Sequence, residues 1–278
     1  MKGGYWVIRT VRSGNVIEKS QFYLGEKKPR APRRKGSSSA ARKDANMNTA
    51  IRQLARTINC NFHSRDLLLT FTYDEEHFAK IGEDAEQAEK CMSLAWRRLR
   101  RAFAAVGMQL RGFWTTADKD AETGERVRLH HHAVISGEGV TVAFDENGEL
   151  TELSVAGRSF AELWGMGTAH AELLREQDDY TAIAVYCLKQ AVGGENAKKW
   201  HASRGLAKPE VKEQIITNPR ELRAPGGAVV SEIGRYNSES GGHYIRYVRK
   251  KRLPKIGGHK EAALWKEDDT ATGERGST

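Results

Sequence analysis

What the sequence lacks narrows the field first. No apolar run approaches the roughly 18–20 residues that a membrane span requires. The opening residues, Met1-Lys2-Gly3-Gly4-Tyr5-Trp6, hold no apolar stretch of signal-peptide length. Cysteine is scarce: Cys60, Cys91 and Cys187 are far apart and odd in number, which excludes both a metal knuckle and a disulfide framework. A cytoplasmic protein with reduced thiols is therefore expected. No internal repeat is visible, so a solenoid or propeller is also excluded.

What is present suits a globular chain with a polyanionic partner. The 278 residues, 39% hydrophobic and 29% charged, allow one large domain or a domain with an appendage. The formal charge of +9 makes nucleic acid the first candidate partner. Residues 1–23 read as short strands or an arm. Residues 24–45 hold Lys27, Lys28, Arg30, Arg33, Arg34, Lys35, Arg42 and Lys43 among prolines and serines, with little to bury, and read as a flexible basic arm gripping phosphates.

Periodic segments begin at Asn46. Ile51, Leu54, Ala55 and Ile58 follow helical spacing, and Leu67–Tyr73 is rich in β-formers and reads as a central strand. The best helical pattern spans 84–106, where Ala88, Met92, Ala95, Leu99 and Phe103 mark one face. Arg97, Arg98, Arg100 and Arg101 in its last turns read as a solvated face. Residues 108–117 and 127–135 read as strands joined by a polar hairpin loop, and 136–152 as a surface loop. Short helices are expected over 158–164 and, capped by Asp178-Asp179, as far as Gln190. Beyond Lys208-Pro209 the chain is mostly polar, its last apolar patch being Tyr244–Val248, and a disordered tail is expected after Pro254. The expected class is α+β, a central antiparallel sheet with flanking helices. Three regions are expected: residues 1–45, a domain over 46–212, and a C-terminal extension over 213–278.

His130-His131-His132 is the strongest local feature. Side chains alternate across a strand, so His130 and His132 share one face and His131 takes the other. An H-x-H arises by chance roughly 0.3 times in a chain with this many histidines, but three in succession only on the order of 0.01 times. Two imidazoles with no cysteine nearby suit an open, hard-ion site, Mg²⁺ or Mn²⁺ working on phosphate oxygens, rather than structural zinc. Tyr186-Cys187-Leu188-Lys189 puts a cation one helical turn from a phenol, where it favours the phenolate and neutralises a transferred phosphate. The pattern recurs at Tyr247-Val248-Arg249-Lys250, but Tyr186 lies on an amphipathic helix and is preferred.

Together, Leu69-Thr70-Phe71-Thr72-Tyr73, the histidine triplet and Tyr186-Cys187-Leu188-Lys189 resemble the three successive motifs of the HUH replication-initiator endonucleases, with an RRM/ferredoxin-like sheet. The likeness is greatest to rolling-circle initiators of phages and integrative elements, and extends over roughly 46–212. It implies that His130 and His132 hold a divalent metal and that Tyr186 attacks single-stranded origin DNA to form a 5′-phosphotyrosine, with Lys189 steadying the phosphate. It also implies a host helicase and polymerase as partners. Family members often supply a third ligand from the strand before the histidines. Thr115, Thr116 and Ala117 stand there in this chain, and Asp118 is the nearest carboxylate. No second tyrosine lies one turn from Tyr186, so a two-tyrosine shuttle is not expected. Two rivals remain open at this level: a non-catalytic single-stranded nucleic-acid-binding protein, and a metal-dependent nuclease using water as nucleophile.

Overall fold

The computed structural model describes residues 4–25, 40–147, 150–192, 199–234 and 241–249. Most of the expected basic arm, residues 26–39, and the tail beyond Pro254 lie outside them. The chain opens with a hairpin of β1 (Tyr5–Ser13) and β2 (Val16–Leu24). It continues through α1 (Ala40–Asn61), β3 (Leu67–Tyr73), α2 (Glu75–Ile81), α3 (Ala85–Ala105), β4 (Gly112–Lys119) and β5 (Arg126–Ile135). A small sheet of β6 (Thr141–Phe144), β7 (Leu150–Val155) and β8 (Arg158–Ser159) leads through α4 (Phe160–Trp164) to β9 (Gly167–Leu173) and α5 (Thr181–Gln190). The remaining strands are β10 (His201–Ala202), β11 (Glu210–Ile216), β12 (Val229–Ile233) and β13 (His243–Val248).

The central sheet runs β10-β4-β5-β3-β9 with every neighbouring pair antiparallel, which makes the fold α+β as expected. Its two faces are buried by different helices. On one, Leu67, Leu69, Phe71 and Tyr73 of β3 meet Met92, Ala95, Leu99 and Phe103 of α3, all nearly solvent-free. Burying each such large side chain contributes roughly 1.5–3 kcal/mol. Asp84 fixes the start of α3 by accepting from the amides of Glu86 and Gln87. On the other face, Leu54 and Ile58 of α1 and Ala184, Cys187 and Leu188 of α5 pack on Phe113 and Val134.

Several expectations are revised. Helix α1 begins at Ala40, not Asn46, so part of the expected arm is helical; Ala40-Ala41-Arg42-Lys43 are strong helix formers and extend the buried segment outward. The stretch read as a surface loop over 136–152 contains β6 and the first residues of β7. Leu153 and Val155 of β7 are buried in the core, which offsets the polar composition that hid the strand. Strand β9 was not anticipated, because Gly167–Leu173 is a mostly exposed edge with little apolar alternation. Helix α4 begins at Phe160 behind a capping box of Ser159 and Glu162.

The two ends of the chain meet. A second five-stranded sheet, β11-β1-β2-β13-β12, joins the N-terminal hairpin to strands from the C-terminal region. One of its faces packs towards α1, where Glu18 is nearly solvent-free and bonds Arg56 and the Tyr244 hydroxyl. Its other face holds Ile8, Ile17, Ile245 and Tyr247 beneath Leu222. Among the described residues no helix is long and apolar enough to cross a membrane.

Candidate functional site

Register on the central sheet builds the site row by row. His132 lies between Thr70 of β3 and Thr115 of β4, and His130 between Thr72 and Ala117. The pleat therefore sends His130 and His132 to the α5 face and His131 to the α3 face. On the α3 side, His131 is fully buried. Its Nε2 is 2.7 Å from the Tyr73 hydroxyl and its Nδ1 is 3.1 Å from Thr116 Oγ1, so both ring nitrogens have partners. Edge-on contacts with Tyr73, Trp114 and Trp164 complete its packing. Burial, with the two flanking imidazoles, pushes its pKa down to about 3, so it is neutral.

The other pair is arranged differently. The Nε2 atoms of His130 and His132 face each other at 3.0 Å. His130 Nδ1 is 2.9 Å from the Arg128 carbonyl oxygen, which can only accept, so the proton sits on Nδ1 and Nε2 presents a lone pair. His132 Nδ1 is 3.2 Å from Thr70 Oγ1, a hydroxyl able to accept its proton. Burial first, then His130, pushes the His132 pKa down to about 4, so this ring is neutral too.

The end of α5 is tied to the same place. Val192 N–H donates to the Thr116 carbonyl at 2.8 Å, and Ala191 bridges Ala117 beside His130. This tether holds the last turn of α5 over the histidines. The Tyr186 ring lies 4.9 Å, centroid to centroid, from the His132 ring and is 39% exposed, so it is both adjacent to the pair and open to a ligand. Gln190, one turn on and nearly buried, donates from Nε2 to the Tyr186 carbonyl oxygen, leaving its Oε1 turned to His132 Nε2 at 3.4 Å. Lys189 is exposed on the same part of the helix.

Three acceptor atoms thus converge, His130 Nε2, His132 Nε2 and Gln190 Oε1, with at most one proton among them. Such a cluster in a partly dry site is electrostatically unfavourable alone and fits a cation. The buried Thr115 hydroxyl next to His132 has no hydrogen-bond partner among the described residues. The donor set, two imidazoles with an amide oxygen, suits a divalent ion that keeps open positions.

Asp118 is not brought to the pair. It sits in β4 at an irregularity between Ala117 and Lys119, with its carboxylate 3.9 Å from Arg126 Nε and its charge felt by Lys199. Among the described residues no three His, Cys, Asp or Glu side chains converge. The residue that does reach the histidines, Gln190, was not singled out from the sequence; its position four residues after Tyr186, on one helical face, was the available signal. The other tyrosines are elsewhere. Tyr247 is buried in the second sheet, Tyr180 is buried with its hydroxyl on the Arg175 carbonyl, and Tyr5 and Tyr23 lie on the N-terminal hairpin. The α3 arginines stand on the opposite side of the central sheet, and Arg98 donates to the Trp164 carbonyl.

The elements that build this site are also the part of the chain with known relatives. Residues 66–191, from β3 to the end of α5, match the model of a family described as a replication-associated protein of the ORF2 type. No curated protein and no solved structure matches the chain.

Proposed function

We propose that this protein starts rolling-circle replication by nicking and rejoining single-stranded origin DNA through Tyr186. The observation that carries the reading is the placement of the Tyr186 ring against His132, over two imidazole Nε2 atoms that face one another. The match of residues 66–191 to a replication-associated family supports a role in DNA replication.

In the proposed reaction the Tyr186 hydroxyl oxygen attacks the scissile phosphorus. The Oη–P bond forms as the P–O3′ bond breaks; the phenol proton passes to water and the 3′ oxygen takes one up. The products are a 5′-phosphotyrosine and a free 3′-hydroxyl that a host polymerase extends, with a host helicase opening the duplex ahead. Because the ester retains the energy of the broken bond, the reverse attack by a 3′-hydroxyl rejoins strands without ATP. His130, His132 and Gln190 would hold a Mg²⁺ or Mn²⁺ ion, which when bound polarises the phosphate oxygens. Gln190 takes the place expected of Asp118. Thr70 and the Arg128 carbonyl orient the two imidazoles, as partners behind metal-binding histidines generally do. Lys189 offsets charge on the phosphate.

The test is incubation of the protein with end-labelled single-stranded origin DNA and Mn²⁺, followed by a denaturing gel. A covalent protein–DNA band that Tyr186→Phe abolishes is expected. Cleavage that survives this substitution and leaves a free 5′-phosphate would establish water as nucleophile. Binding without any cleavage would leave a passive nucleic-acid-binding protein.

A further inference from the structure

We infer that the outer face of the second sheet is a duplex-DNA-binding groove, separate from the Tyr186 site. A cavity of about 500 Å³ opens on the face of this sheet turned away from α1. Its walls carry Arg12, Lys19, Lys212 and Arg249. The strand register explains why they gather. Thr10 of β1 is paired with Lys212 of β11 on one side and Lys19 of β2 on the other, so the two lysines flank a small hydroxyl in one row. Two strand spacings put their backbones roughly 10 Å apart. Arg12, two residues along β1, starts the next row on the same face. Arg249 follows β13 directly, with its amide fixed to the Asn15 carbonyl of the β1–β2 turn at 3.0 Å.

The acids nearby do not cancel this charge. Glu213 is turned to Arg9 at 2.7 Å. Glu210 pairs with Lys212 at 2.8 Å and feels the Arg12 charge only as a weaker neighbour. Two carboxylates against Arg9, Arg12, Lys19, Lys212 and Arg249 leave the face cationic. A row of cations with a hydroxyl between them is the arrangement that contacts phosphate oxygens.

The groove also selects between forms of DNA. Grooves for single strands offer exposed aromatic rings on which bases stack. Here the only aromatic among the described lining residues is Tyr247, which is 2% exposed and already covered by the Lys19 ammonium, 5.8 Å above its ring. With no platform for bases, the surface fits a duplex, whose bases are already stacked and whose outside is phosphate.

The test uses the full chain and a fluorescent 25-base-pair duplex of arbitrary sequence, with affinity followed by anisotropy over a salt series. For Arg12→Ala/Lys19→Ala/Arg249→Ala the slope of log K against log salt should become shallower by roughly 2–3, and by about 1 for Arg249→Ala alone. The single variant carries the test if the triple one does not fold. Lys19→Arg should keep the wild-type slope. Tyr186→Phe should bind the duplex as the wild type does, so failure of the nicking reaction and failure of the groove are read separately. An unchanged slope in both alanine variants, or a loss confined to single-stranded DNA, overturns the proposal.

Discussion

One strand carries three adjacent histidines, and its two faces use them in opposite ways. His131 is closed on every side: both nitrogens meet hydroxyls and three aromatic rings enclose it. His130 and His132 have their Nδ1 atoms engaged but their Nε2 atoms turned on each other, beside a half-exposed phenol. The same residue type is structural where its polar atoms are satisfied and dry. It is reactive where two acceptors are forced together at an open edge. Burial alone does not separate the cases, since His132 is almost as buried as His131. The distinction lies in what the second nitrogen faces.

That contrast can be tested residue by residue. His130→Ala removes an open acceptor and should lower adduct formation by about 10³-fold, the scale of several kcal/mol of transition-state stabilisation. Its melting temperature should barely move, and a large drop would place this histidine with the structural one. His131→Ala should do the reverse. It leaves a cavity and two hydroxyls short of a partner, so chemical denaturation should show a loss of about 2–4 kcal/mol, with the adduct yield per folded molecule retained. Gln190→Ala should reduce the adduct rate about 10–100-fold, with higher Mn²⁺ restoring part of it, whereas Asp118→Asn should change the rate by less than about threefold. A larger effect at Asp118 than at Gln190 would reverse the ligand assignment.

The smallest effect is expected farther out, where the second sheet holds the start of α5. Arg246 of β13 donates to Asp179 and to Thr181 Oγ1. Burial raises the Asp179 pKa, but the hydrogen bonds from Thr181, Arg246 and Asn59 and the charge of Arg246 outweigh it and hold the carboxyl below its usual range. The bound carboxylate therefore contributes stability at pH values above its unfolded pKa, and that contribution is lost as pH falls through the lower, folded one. Arg246→Met should cost about 1–2 kcal/mol at neutral pH and progressively less in acid, as read from urea melts at several pH values.

The sequence exposed much of this architecture where burial is strong. Leu67–Tyr73 and the α3 pattern are legible because their apolar periodicity is set by a core that covers them. The alternation that separates His131 from its neighbours follows from strand geometry alone. Edge elements were not legible. Residues of β9 and β11 are exposed and polar, and their pairing is set by partners distant in the chain, as when β1 takes β11 on one side. Gln190 was hidden for a related reason: its reach to His132 depends on the tether from Ala191 and Val192 to β4, a long-range contact that local spacing does not encode. A carboxylate at Asp118 looked closer along the chain, but the irregularity in β4 leaves it with Arg126 instead.

The central claim is that Tyr186 makes the bond to DNA. Protease digestion of the covalent adduct followed by peptide mass spectrometry reads this directly. A nucleotide-bearing peptide modified at Tyr186 is expected; modification at Tyr5, Tyr23 or Tyr247, or cleaved DNA with no modified peptide, would contradict it.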